Sequence, residues 1–106
     1  MKKEVTSLIQ LMEGKYTDLV WYDRKGPSDD EAYWAGVSED IRTHALNQCS
    51  RVEELMPDEV DALKSPETGD WSHGFNSGVL AALRLLLTAE EEGADEALDC
   101  FPQLDT

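Results

Sequence analysis

His73 and Ser77 stand four residues apart in this chain, and Asp70 lies three residues before the histidine. A serine, a histidine and a carboxylate are the parts of an acyl-transfer centre, where the base takes the serine proton and the acid orients the base. That chemistry needs a serine oxygen exposed beside an oxyanion hole. The Gly-x-Ser-x-Gly elbow that often supplies one does not occur around Ser77. On a helix, His73, Ser77 and Arg84 share one stripe, with Asn76 beside it. The four residues read as a buried polar line. Arg84 is expected to pair with an acid from another helix, and His73 and Asn76 to find backbone or side-chain partners. A buried Arg84 would cost about 3 kcal/mol to remove, because its loss strands a carboxylate. No catalytic residue is assigned.

Metal chemistry has equally little to work with. His44, His73, Cys49 and Cys100 are zinc-ligand types, but His44 and Cys49 are five apart and do not share a helical face. No Cys-x-x-Cys or His-x-x-x-His pair anchors them. Both cysteines read as small core residues. Carboxylates are abundant: Glu91-Glu92-Gly93-Ala94-Asp95 runs into Glu96-Ala97-Leu98-Asp99. These runs resemble the Glu-Glu-x-x-Glu/Asp and Glu-x-x-Asp motifs with which all-α nucleotide pyrophosphatases gather Mg²⁺. In that family the motifs sit on separate helices. Here they abut and Gly93 splits the first, so two facing helices cannot present them, and the family's function is not carried over. No metal or cofactor is assigned.

The large amphipathic residues are Trp21, Tyr22, Tyr33, Trp34 and Trp71. Trp21-Tyr22 and Tyr33-Trp34 flank the same loop. Neighbours on a helix point in different directions, so one member of each pair is expected at the surface. These four residues form the candidate interaction surface. The competing reading is a small core beneath the loop at residues 23 to 27.

The elements that position these residues are all helical. Val5, Ile9, Met12, Tyr16 and Leu19 recur in steps of four and three, predicting a helix from 3 to 22 with Gly14 as a weak point. Gly26 and Pro27 suit its end. Ser28-Asp29-Asp30-Glu31 has the spacing of a capping box. Tyr33, Val37, Ile41, Ala45, Cys49, Val52 and Met56 then predict one helix from 29 to 56, about 42 Å long, with a kink admitted at Gly36 or Ser38. Its apolar stripe wraps, so one neighbour cannot cover it.

Pro57 suits the first turn of a short helix over 58–64, with Val60, Leu63 and Ala62 inward. A near-apolar central helix follows, capped by Asp70 or Ser72, running to about 90 and buried on almost every side. Its Phe75, Val79, Ala82 and Leu86 stripe is expected in the core. Its Gly74, Gly78, Ala81 and Leu85 stripe is expected to pack tightly within the bundle, with a dimer seam as the alternative. A last short helix spans 94 to 100 or 101, and Leu98, Phe101 and Leu104 are expected to fold back on the bundle. No strand pattern or repeat is present. The fold class is therefore all-α, a small antiparallel bundle of three main helices plus two short ones, in one domain over residues 1–106.

The chain has 23 acidic and 9 basic residues and a formal net charge of -14. Such a field repels phosphate backbones and anionic bilayers, so neither nucleic acid nor membrane is expected as a direct partner. The run Val79 to Leu87 is too short to span a bilayer. Sparse cysteines and the lack of a secretory signal pattern fit a cytoplasmic protein. The expected function is non-catalytic protein–protein interaction, with a protein partner or a second copy of the chain. A mimic of DNA inhibiting a basic protein and a divalent-metal-dependent helical hydrolase are the alternatives.

Overall fold

The computed structural model of the chain describes residues 2–25 and 31–100, apart from the side chains of Lys25 and Cys100. Every described element is helical: α1 (Lys3–Lys25), α2 (Glu31–Trp34), α3 (Glu39–Leu55), α4 (Pro57–Lys64), α5 (Gly69–Glu92) and α6 (Ala94–Cys100). No described helix is long and apolar enough to cross a membrane. Within α1, Gly14 is absorbed without a break. The expected turn at Gly26 and Pro27, the capping of residue 31 by Ser28, and the packing of Phe101 and Leu104 lie outside the described residues.

The helix expected over 29–56 is two helices. Gly36 takes a φ of 79°, a conformation that costs a residue with a Cβ, and Val37 N–H bonds back to Trp34 O at 3.0 Å. Ser38 then starts α3, its Oγ accepting from Ile41 N–H at 3.2 Å. The apolar spacing continues across this break, so periodicity alone admits no more than a kink. Arg42 ties the short α2 to α3: it contacts Glu31 through both terminal nitrogens, at 3.2 and 3.4 Å, and lies 5.4 Å from the Trp34 ring centroid. Among the described residues the bundle thus has three main helices and three short ones.

Pro57 opens α4, as expected from its missing N–H. Thr68, rather than Asp70 or Ser72, precedes α5, and its hydroxyl donates to Ala62 O at 2.8 Å instead of capping the helix. Gly69 makes that return tight. A Cβ there would stand 2.8 Å from Leu63 O, so the α4–α5 corner requires glycine.

The core sits where the second halves of α1 and α3 meet α4. Leu19, Tyr22, Cys49, Val52, Met56 and Val60 form it, with Tyr16, Trp21 and Leu63 against it. Burying each large side chain contributes roughly 2 kcal/mol. The two longest helices, α1 and α5, make the most extensive contact and run antiparallel, Asp23 meeting His73 and Glu13 meeting Arg84.

The central helix is not buried on every side. Its buried residues are Ser72, Asn76 and Leu80. Phe75 and Leu86, expected in the core, are 47% and 46% exposed, and Trp71 is 70% exposed. Gly74 and Gly78 are exposed too, and a Cβ at either would meet nothing within 4 Å. The tight packing expected of the Gly74–Gly78 stripe within the bundle does not occur. With apolar residues around most of α5, hydrophobicity alone does not choose the inward face. Contact with α1 puts the Ser72–Asn76–Leu80 side inward.

Candidate functional site

The four candidate surface aromatics separate into core and surface. Tyr22 and Trp34 are buried, Trp21 is half-buried and Tyr33 is exposed. One member of each pair therefore leaves the proposed surface. Tyr22 serves the core and a polar clasp at its edge. Its hydroxyl donates to Glu53 Oε2 at 2.8 Å, and Lys64 Nζ donates to the same oxygen at 3.1 Å. The hydrogen bond from Tyr22, followed by that from Lys64, holds the Glu53 carboxyl below its ordinary range. Burial, chiefly, pushes the Tyr22 hydroxyl up. Burial likewise raises the Cys49 thiol, which keeps it a protonated core group rather than a nucleophile.

Trp21 lies in a different setting. The second half of α3 packs on α1, while its first half stands off and leaves a cleft of about 560 Å³. Trp21, Ile41 and Ala45 provide the apolar lining, with Thr17, Asp18, Asp40, His44 and Gln48 around them. Ile41 is 63% exposed. Gln48 Nε2 donates to Asp18 Oδ1 at 3.4 Å. No Lys or Arg lines the cleft, so its fixed charge is negative. The doubled aromatics pointed to Trp21. Nothing local in the sequence pointed to Asp18, Asp40, Ile41 or His44, because residues 18 and 41 meet only through the crossing of two helices.

The polar stripe of α5 borders α1 but is not uniformly buried. Asn76 is buried, whereas His73 and Arg84 have side chains 43% and 49% exposed. Arg84 does pair with an acid from another helix: its Nε donates to Glu13 Oε1 at 3.4 Å, and its Nη2 to Thr17 Oγ1 at 3.3 Å. At that exposure the pair is worth under about 1 kcal/mol, not the 3 kcal/mol of a buried one. His73 Nδ1 is bonded to Asp23 Oδ2 rather than to Asp70. This places a carboxylate on a histidine one turn from Ser77, but Ser77 Oγ is buried and makes no hydrogen bond. An inaccessible hydroxyl without a base cannot attack a substrate.

Among the described residues, no group of three or more His, Cys, Asp or Glu side chains is placed to hold a metal ion. Glu91 and Glu92 end α5 and Asp95 and Glu96 begin α6, all exposed, with Gly93 between them. Comparison with protein-family models, with curated proteins and with solved structures finds no match to this chain.

Proposed function

We propose that the chain is a non-catalytic protein-interaction module whose α1–α3 cleft receives an amphipathic, basic helix of a partner protein. The observation that carries this reading is the cleft itself, which combines the apolar Trp21, Ile41 and Ala45 with the carboxylates of Asp18 and Asp40 in one lining. A helix laid in a groove supplies apolar anchors at one-turn spacing, and Lys or Arg beside the anchors would meet the two carboxylates. The net charge of -14 adds long-range attraction for such a partner and speeds encounter.

The test is calorimetric titration with two model amphipathic helices, one Leu/Lys and one Leu/Glu. The Leu/Lys peptide is expected to bind, to weaken at least tenfold between 0.05 and 0.5 M salt (order-of-magnitude values from screening), and to lose binding to Ile41→Lys. Equal binding of the acidic peptide, or an unchanged affinity for Ile41→Lys, overturns the reading.

A further inference from the structure

We propose that the groove where α1, α4 and α5 meet binds the guanidinium group of an arginine on a partner protein. The groove has a volume of about 220 Å³ and shares no residue with the α1–α3 cleft. Tyr16 of α1 and Trp71 and Phe75 of α5 give it an aromatic lining. Trp71 and Phe75 stack, with ring centroids 5.1 Å apart and an interplanar angle of 11°, and Tyr16 meets Phe75 edge-on at 6.5 Å. Trp71 nevertheless stays 70% exposed. Asp58 and Glu59, in the first turn of α4, bring two carboxylates to the same lining.

The lining also holds two polar side chains that folding leaves unused. Asn76 and Ser72 are each 6% exposed, and among the described residues neither side chain has a hydrogen-bond partner. Buried polar groups are rarely left so. Both can accept from a ligand, Asn76 through its carbonyl and Ser72 through its hydroxyl. Asp58 and Glu59 exclude an anion by charge. Among the described residues no group of three ligating side chains is placed to hold a metal ion. A quaternary ammonium would use the rings and the acids, but it has no N–H to give Asn76 or Ser72. A guanidinium uses all three features: its plane lies on an aromatic face, and its N–H groups reach several acceptors at once. The protein's own Lys15 already answers to this chemistry beside the groove. Its Nζ lies 3.5 Å from Glu59 Oε2 and 5.9 Å from the Tyr16 ring centroid. Among the described residues no cation pairs with Asp58. The volume suits one side chain, since drug-sized ligands take about 300 Å³ or more. The net charge of -14 favours a basic partner over a second copy, whose like charge repels.

The test is a nuclear magnetic resonance titration of the full chain at about 0.15 M salt, where non-specific attraction is screened. The probes are blocked arginine (N-acetyl-arginine-N-methylamide), the matching blocked lysine, and tetramethylammonium. Blocked arginine is expected to shift the Trp71 indole and Asn76 side-chain amide signals saturably. It should bind about tenfold tighter than either other cation, the worth of one charge-assisted hydrogen bond. Trp71→Ala changes an exposed residue, so its circular dichroism should match wild type while binding weakens roughly threefold or more. Asp58→Asn with Glu59→Gln should weaken it about tenfold. Ile41→Lys should lose the Leu/Lys peptide and keep the arginine probe, so the cleft and the groove fail separately. Equal binding of the three cations overturns the proposal, as do Trp71 and Asn76 signals that do not move, or binding that survives the carboxylate variant. Light scattering under the same conditions checks the source of the arginine. A monomer supports a partner protein, whereas a dimer that blocked arginine dissociates makes a second copy the donor and overturns that assignment.

Discussion

At the scale of single residues, the best-defined chemistry belongs to Tyr22, Glu53 and Lys64, and it is structural. One carboxylate oxygen takes two donors, and Lys64 also lies 5.8 Å from the Tyr22 ring centroid. Tyr22→Phe keeps the ring in the core and removes the first-named cause of the lowered Glu53 pKa. A hydrogen bond to a charged group is worth about 1.5–3 kcal/mol when well sheltered. Here the Glu53 side chain is 39% exposed, so the variant should lose about 1 kcal/mol at pH 7. The sign with pH follows from the direction of the shift. A carboxyl with a depressed folded pKa contributes stability above its unfolded value, and that contribution fades as pH falls through the folded value. The gap between wild type and Tyr22→Phe should therefore be widest at neutral pH and narrow below the ordinary glutamate range. Urea unfolding at several pH values reads it, and a gap that does not change between neutral and acid pH would mean the bond is not linked to ionisation.

At the scale of elements, the α1–α5 contact carries a built-in weakness. Ser77 Oγ is buried without a hydrogen-bond partner between the His73–Asp23 and Arg84–Glu13 pairs. An orphaned buried hydroxyl costs about 1 kcal/mol or more, and serine is also a poorer helix former than alanine. Ser77→Ala is expected to stabilise the protein by about 0.5–1.5 kcal/mol and raise Tm by several degrees. A lower Tm would show that the hydroxyl is in use. The same contact separates what is legible in the sequence from what is not. Pro57 at the start of α4 and the period of α1 are local signals, and they place those helices correctly. The break between α2 and α3 is hidden because Tyr33, Val37 and Ile41 keep helical spacing across a backbone that leaves the helix at Gly36. The inward face of α5 is hidden because Phe75, Val79 and Leu86 make an apolar face as good as the one α1 covers. The cleft is half legible: the paired aromatics single out Trp21, but its meeting with Ile41 depends on how α3 crosses α1.

At the scale of the whole molecule, charge and compactness pull against each other. The Cα radius of gyration is 15.9 Å, against about 13 Å for a compact domain of this length. Folding gathers 23 carboxylates and only 9 cationic side chains into one small body. Several of those cations sit in pairs at least partly open to water, among them Lys15–Glu59, Arg42–Glu31 and Lys64–Glu53. Each exposed pair is worth a few tenths of a kcal/mol, and salt weakens it. Repulsion among the remaining carboxylates acts over the whole surface and opposes compaction. The two effects predict opposite responses to salt, so their balance can be measured. Raising ionic strength from about 0.02 to 0.5 M shortens the screening length from roughly 20 Å to about 4 Å. The molecule measures 45 × 33 × 26 Å, so this removes interaction between distant carboxylates and only dulls contacts near 3 Å. With an excess of 14 negative charges the long-range component dominates, and Tm should rise by several degrees with added NaCl. The scan belongs at the lowest workable protein concentration, where association contributes least to the shift. A falling Tm would mean that the local pairs carry more of the stability than their exposure allows.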